Sequence, residues 1–271
     1  MMRKYSFKLF SSNIRNNPKI VEDGMKYVSE HADRMFVELM VQKETSREDL
    51  RMIKDCSSNV EIRLHAPHHL MNFNPGNKNL EAENRRIIEH VQYAADLLNA
   101  KSIVVHGGCG QGIEVLKETV RQFKLFDDKR IVVENLPVVA EEGLKLSGNT
   151  PEEIAFVQEG CGCGFCFDFS HALCAANSLN LDVEKQLAGF FALKPDVYHI
   201  CDGFVDEVED KHLHFGDGNY PLEHFLNDYT AKDAYITMET GRGVPVGIKP
   251  WIDDFEYMLK IEKNSVTQNV A

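Results

Sequence analysis

The sequence lacks any apolar run long enough to cross a membrane. A spanning helix needs roughly 18 to 20 consecutive apolar residues, and no stretch of this chain approaches that length. Polar residues also interrupt positions 1–7 before an apolar segment of signal-peptide length can form. We therefore expect a soluble, cytoplasmic protein with no membrane partner, and no protein partner can be inferred from the sequence.

An excess of positive charge is also missing. The 271 residues include 30 Lys and Arg against 42 Asp and Glu, for a formal net charge of −12. Proteins that wrap nucleic acid by bulk charge neutralise phosphates with lysine and arginine, so this balance argues against that class. The charge count omits bound ions, and several divalent cations would make the field around a metal site positive despite the acidic surface.

The cysteines form no pattern typical of a disulfide framework. There are seven of them, an odd number in a long chain. The run Cys161-Gly-Cys163-Gly-Phe-Cys166 suggests a zinc knuckle, but no second Cys/His pair with the spacing of a structural zinc site follows it closely. The sequence therefore favours reduced, partly buried thiols.

No Gly-rich dinucleotide fingerprint follows the first predicted strand, which argues against a doubly wound open sheet that binds a dinucleotide. Short β-like runs alternate with amphipathic helical stretches, and no linker divides residues 1–271. This alternation predicts a single α/β domain with the (β/α)8 TIM-barrel fold, and a doubly wound open sheet is the alternative. The predicted strands are 6–10, 34–40, 61–66, 102–106, 130–134, 165–168, 197–200 and 234–239.

Two predicted helices carry clear start signals. Ser46 is placed to cap a helix over 46–56. Thr150, Pro151 and Glu153 predict a capping box, with Thr150 as the N-cap, Pro151 at the first helical position and Glu153 completing the box. The other predicted helices cover 20–31, 79–99, 112–126, 181–191, 221–227 and 250–263.

The stretch from Cys166 to His171 holds three metal-binding residue types within six positions. Apolar residues run up to Asp168, and a helix-like run begins at Ala172. This pattern predicts a buried strand that ends in a carboxylate, followed by a turn that presents His171. Taken alone, Asp168 would be interpreted as a helix cap with a histidine in the first turn.

Comparable residues recur at six successive predicted strand ends. In an α/β barrel the C-terminal strand ends carry the chemistry, and imidazole and carboxylate groups suit zinc, manganese and similar divalent ions. A single histidine at a strand end is commonly a polar core residue, but the recurrence predicts a metal site, with His68 and His69 lining its mouth. The predicted ligands are His65, His106, Glu134, Asp168, His171, His199, Asp210, His212 and Glu239.

These motifs resemble the xylose-isomerase-like barrel superfamily, and within it the endonuclease IV family, also called AP endonuclease family 2. Asp168-Phe-Ser-His171 is similar to the family's Asp-Thr-Cys-His, and Asp210-Lys-His212 is similar to its Asp-Arg-His. The likeness extends from about residue 65 to residue 239.

The resemblance implies a divalent-metal-dependent phosphoester hydrolase of DNA repair that acts on abasic DNA. It implies up to three Zn²⁺ ions, which would lower the pKa of water towards neutrality and so supply the nucleophile. Glu239 and Glu134 would be the catalytic residues, with Glu239 positioning or deprotonating the nucleophile. The three implied ligand sets are His65, His106 and Glu134; Glu134, Asp168, His199 and Glu239; and His171, Asp210 and His212.

Departures from the family pattern leave two alternatives open. His68 stands where the family has a DNA-contacting tyrosine, and Leu136-Pro137 replaces a Gly-rich loop. A sugar or sugar-phosphate isomerase or epimerase would need one Mn²⁺ or similar ion, held by the second ligand set, with Glu134 and Glu239 as the acid/base pair. The substrate would then be a small sugar phosphate in place of abasic DNA. A non-catalytic binding barrel is the third hypothesis.

Overall fold

The computed structural model describes residues 2–140, 143–242 and 246–268. Each predicted strand overlaps an observed one, with ends that differ by about two residues or less. The first strand begins at Lys4, two residues before the predicted start. The strands are β1 Lys4–Phe10, β2 Met35–Met40, β3 Ile62–His65, β4 Ile103–His106, β5 Ile131–Glu134, β6 Gly164–Asp168, β7 Val197–Ile200 and β8 Tyr235–Met238.

The strands pair in parallel and in chain order, and the sheet closes on itself. The closing contact joins β1 to β8, with Lys4 opposite Tyr235 and Phe7 opposite Met238. The prediction of a (β/α)8 TIM barrel is therefore confirmed, and the alternative of an open sheet is wrong.

Helices connect successive strands around the outside of the barrel. None of the helices within the described residues combines the length and apolar character that a membrane crossing requires. Two short 3-10 turns, at His69–Met71 and Lys78–Leu80, precede α4. The helices in this part of the chain are α1 Asn13–Asn16, α2 Pro18–Glu30, α3 Arg47–Cys56, α4 Glu81–Leu98, α5 Ile113–Phe126, α6 Pro151–Cys161, α7 Phe169–Leu179, α8 Val183–Ala192, α9 Leu222–Tyr229 and α10 Lys249–Gln268.

The helix starts follow the sequence signals with one correction. Ser46 caps α3, since its hydroxyl accepts a hydrogen bond from the backbone N–H of Asp49, and the Asp49 carboxylate accepts one from the N–H of Ser46. Thr150 caps α6 as predicted. Glu153, however, accepts hydrogen bonds from the N–H groups of Gly148 and Asn149 at 2.8 Å each. The predicted capping box is therefore wrong in this half, because the carboxylate reaches the residues just before Thr150.

The junction of β6 and α7 is tighter than predicted. Helix α7 begins at Phe169, directly after the strand, and no separate turn presents His171. The Asp168 carboxylate caps the helix by accepting a hydrogen bond from the His171 N–H at 2.7 Å. Asp168 therefore caps α7 and also lies in a cluster of metal-binding residue types.

Alternation along each strand separates two packed regions. Phe165 and Phe167 of β6 face outward and pack against Phe190 of α8, with ring centroids 5.8 and 5.5 Å apart. Cys166, between them, faces the barrel interior. A small apolar layer fills that interior and consists of Val104, Val132, Cys166 and Val197. Above this layer the inward positions are polar.

Candidate metal centre

The predicted ligands meet above the apolar layer, at the C-terminal end of the barrel. Strand pairing sets His106 beside Glu134 and Asp168 beside His199. Most of the predicted set lines one cleft with a volume of about 420 Å³, whose wall also includes His68 and His69. Asp168 and His199 lie deeper, with 1% and 0% of their surface exposed.

Glu134 is the central group of the site. Its Oε2 atom lies 3.3 Å from His65 Nε2 and 3.1 Å from His106 Nε2. Its Oε1 atom lies 3.2 Å from His199 Nδ1 and 3.3 Å from His171 Nδ1. Each carboxylate oxygen thus faces two imidazoles. Since His171 Nδ1 also contacts the carbonyl of Asn135, the ring nitrogens placed to share an ion with Glu134 are those of His65 and His106 at Oε2 and of His199 at Oε1.

A second group forms around Asp210, beside the helix and loop that follow β6 and β7. His171 Nδ1 donates a hydrogen bond to the carbonyl of Asn135, and His212 Nδ1 donates one to the carbonyl of Glu239. Both rings therefore keep Nε2 free to face Asp210 Oδ2, at 3.4 and 2.9 Å respectively. This buried carboxylate oxygen therefore lies between two imidazole nitrogens.

The members of the remaining implied set, Glu134, Asp168, His199 and Glu239, are divided between two neighbouring groups. Glu134 and Glu239 both approach His199 Nδ1, and the Glu239 contact is 2.9 Å. A carboxylate oxygen of Asp168, one of Glu134 and a ring nitrogen of His171 lie within 4.8 Å of one another. Asp168 is held in place by Asn135, whose side chain forms two hydrogen bonds of 2.8 Å with the Asp168 backbone.

Two further charged residues belong to the site and were missed by the sequence analysis. The Glu38 carboxylate lies 2.9 Å from His199 Nε2 and accepts a hydrogen bond from Thr237. The Lys8 ammonium contacts Glu239 and lies 3.8 Å from Glu38. Both residues lie within buried strands, between apolar neighbours, and a charged residue in such a position was the signal available in the sequence.

Burial and neighbouring charges set the protonation of these groups. Burial raises the pKa of Asp168 to about 7, although the charge of His171 opposes this. Burial also lowers the pKa of His106 to about 4. Burial disfavours the charged form of His212, but Asp210 outweighs it and raises the pKa of His212 to about 9. Burial is likewise outweighed at Glu134, where His199 and His106 hold the carboxyl pKa well below its usual value.

The spacing of these atoms fits divalent metal ions. In a tetrahedral site with bonds of about 2.0 Å, neighbouring ligand atoms lie roughly 3.3 Å apart. The contacts of His65 and His106 with Glu134, at 3.3 and 3.1 Å, are close to this value. Asp210 Oδ2 also fits, because a carboxylate oxygen between two imidazole nitrogens, at 3.4 and 2.9 Å, offers a donor set that suits zinc or manganese.

The sequence of this chain is similar to those of known proteins. The family model described as "Xylose isomerase-like TIM barrel" matches residues 19–261. A protein from Mycobacterium ulcerans (strain Agy99) named "Probable endonuclease 4" is 28% identical over 204 residues, which cover 72% of this chain and 77% of that protein.

Solved structures with the same fold include an endonuclease and an epimerase-like protein. Endonuclease IV from Thermus thermophilus is 20% identical, with a TM-score of 0.68 over 96% of this chain and 99% of that one. A D-tagatose 3-epimerase-like protein is also 20% identical, with a TM-score of 0.68 over 99% of this chain and 100% of that one. At this identity the likeness to both structures shows the fold alone.

Proposed function

We propose that this chain, which belongs to the xylose isomerase-like TIM barrel family, is a divalent-metal-dependent phosphoester hydrolase of the endonuclease IV type. Members of the family include endonucleases and sugar epimerases or isomerases, so the reaction has to be argued from the site. Abasic DNA is the first candidate substrate.

The observation that carries this proposal is the placement of Glu134 between four imidazoles, two at each carboxylate oxygen. Hydrolysis of a phosphodiester is commonly assisted by two or more neighbouring metal ions, and a shared carboxylate is the ligand that such a site requires. An isomerase that uses one metal has no need for His65 and His106 on the far side of Glu134.

The chain supplies distinct ligand groups for these ions. His65, His106 and Glu134 would hold one ion, and His171, Asp210 and His212 would hold another. The high share of imidazole favours zinc over magnesium or calcium, which prefer oxygen ligands. When bound, such ions would polarise a phosphoryl oxygen and lower the pKa of water.

Other side chains position the reacting groups. The Glu239 carboxylate lines the cleft and is oriented by the Lys8 ammonium and by His199. It is therefore placed to orient an attacking water molecule by accepting its hydrogen bond. Glu38 fixes the His199 ring through Nε2, in the way that a carboxylate behind a metal-ligating histidine does.

A second candidate function is a sugar or sugar-phosphate isomerase or epimerase. It is favoured by the approach of Glu134 Oε1 and Glu239 Oε1 to the same atom, His199 Nδ1, at 3.2 and 2.9 Å. One metal at this point would leave two carboxylates beside a sugar, which suits proton transfer between neighbouring carbons. The cleft volume of about 420 Å³ also suits a small ligand.

The two functions are separated by removing ligands that only the hydrolase needs. Protein purified without chelators and loaded with Zn²⁺ or Mn²⁺ is assayed on an abasic duplex, on bis(p-nitrophenyl) phosphate and on a set of ketoses. We expect phosphoester cleavage, and a loss on the order of 100-fold in His65→Ala and in His212→Ala. His224→Ala, whose ring lies at the outer surface on α9, is the matched control and is expected to retain activity.

The opposite result would select the isomerase. Epimerisation of a ketose that survives both substitutions, with about one metal ion per chain, would replace the hydrolase proposal. Inactivity on every phosphoester by protein that holds about two or more zinc ions would reject it as well.

A further inference from the structure

One corner of the site contains a cation of its own. We call it the lysine corner and define it as Lys8, Glu38 and Glu239. Lys8 and Glu38 are paired in register on β1 and β2, and Glu239 directly follows β8, which pairs with β1 on its other side. The three side chains therefore converge at the point where the barrel closes.

The contacts at this corner are those of a cation held by two carboxylates. The Lys8 ammonium contacts Glu239 and lies 3.8 Å from Glu38 Oε1, and the Glu38 side chain is only 1% exposed. Glu38 Oε2 is occupied by His199 and Thr237. Glu38 Oε1 has no hydrogen-bond partner within the part of the chain that the structure describes, and it is directed at the ammonium.

The same carboxylates also belong to a group of residues that could hold a metal ion. One ligand atom from each of Glu38, His65, His199 and Glu239 lies within 4.8 Å of the others. Two carboxylates and two imidazoles are a common donor set for zinc or manganese. A buried carboxylate pair needs a neutralising cation, and either an ammonium group or a metal ion can meet that need.

We propose that Lys8 is a positioning residue whose ammonium group takes the place of one divalent metal ion in the lysine corner. Lys8 holds Glu239 and Glu38 in place whether or not metal is available, and it excludes a metal ion from the corner by charge repulsion. This inference rests on the proposed metal-dependent function. It predicts that the wild-type chain binds fewer ions than its ligand set could hold.

The test counts zinc ions in variants at position 8. Lys8→Met removes the charge and keeps the length of the side chain, and Lys8→Arg keeps the charge. After zinc loading and gel filtration, mass spectrometry is expected to find about one more zinc per chain in Lys8→Met than in wild type, and no gain in Lys8→Arg. Adding Glu38→Gln to Lys8→Met is expected to abolish the gain, which assigns the extra ion to this corner.

Thermal unfolding gives a second measurement. Without metal, Lys8→Met leaves two buried carboxylates with His199 but without the ammonium group, so its Tm is expected to fall. Zinc is expected to raise that Tm by more than it raises the wild-type Tm. If Lys8→Met folds only when zinc is present, this also supports the inference. A variant that stays unfolded with zinc overturns it.

The zinc counts also separate this inference from the function on which it rests. Equal, non-zero counts in wild type and Lys8→Met overturn the role of Lys8 alone, as does a gain in Lys8→Arg. A wild type without zinc and a Lys8→Met variant with about one ion support the role of Lys8 and reject the hydrolase proposal. Absence of zinc from both overturns both.

Discussion

The two faces of the barrel strands differ in the polarity of the side chains they bury. The outer wall, formed by outward residues such as Phe165 and Phe167 and the helices that cover them, is apolar and packs by area and shape. The inner rim, defined by Glu134, His171 and His199 with their contacts, is buried but polar. A single residue step along a strand therefore separates apolar side chains that stabilise the fold from polar side chains that form the proposed metal centre.

This difference predicts opposite responses to substitution. Changes in the inner rim should alter metal content and activity more than the free energy of unfolding. The reason is that the cost of burying its charged groups offsets much of the attraction between them. Changes in the outer wall should alter the free energy of unfolding and leave metal content unchanged.

The largest effect is expected at the centre of the rim. Glu134→Gln replaces a ligand oxygen by an amide nitrogen that cannot coordinate metal, at a point shared by four imidazoles. We expect kcat/KM to fall by on the order of 1,000-fold, with a lower zinc content measured by mass spectrometry. Glu209→Gln, an exposed residue at the edge of the same cleft, is the control and should change little. Full zinc content in Glu134→Gln would contradict the role of Glu134.

A smaller effect is expected at the Asp210 group. Asp210→Asn removes the charge that faces His171 and His212 and should release the ion held there while the His65 and His106 side keeps its own. We expect loss of about one zinc per chain and a decrease of kcat on the order of 100-fold. Asp217→Asn, in the exposed loop nearby, is the matched control. Zinc content that is unchanged in Asp210→Asn would show that this group is no metal site.

Asn135 holds the end of β6 in place, and its replacement should lower the stability of the fold. Asn135→Ala removes two buried hydrogen bonds to Asp168 and leaves their backbone partners unsatisfied. We expect the free energy of unfolding to fall by about 2 kcal/mol, measured by denaturant titration. Asn16→Ala, which is exposed, should stay within about 0.5 kcal/mol of wild type. A decrease as small as that of the control would mean that water replaces both bonds.

The smallest effect is expected in the outer helices. Ser46→Ala removes the cap of α3 and should lower the free energy of unfolding by about 1 kcal/mol, with zinc content and kcat unchanged. Ser57→Ala, at the other end of the same helix, is the control and should change stability by less than about 0.5 kcal/mol. A change of zinc content in Ser46→Ala would show that a substitution in the outer helices also affects the metal centre.

Much of the site could be predicted from the sequence because its ligands stand at strand ends. His65, His106, Glu134 and Asp168 are each the last residue of their strand, so a pattern of apolar runs that end in a polar residue finds them. Lys8 and Glu38 were missed because each lies two residues before the end of its strand, where the same pattern predicts core.

Local sequence was enough to establish the order of strands and helices, the N-caps of α3 and α6 and the residue types available for a metal site. These follow from local periodicity and from residue types that act within a few positions of each other. Only the tertiary structure decided that the sheet closes, that Glu134 lies between two pairs of imidazoles and that Lys8 meets Glu38 and Glu239. Those contacts depend on strand register and on closure of β1 against β8, which join residues more than 200 positions apart.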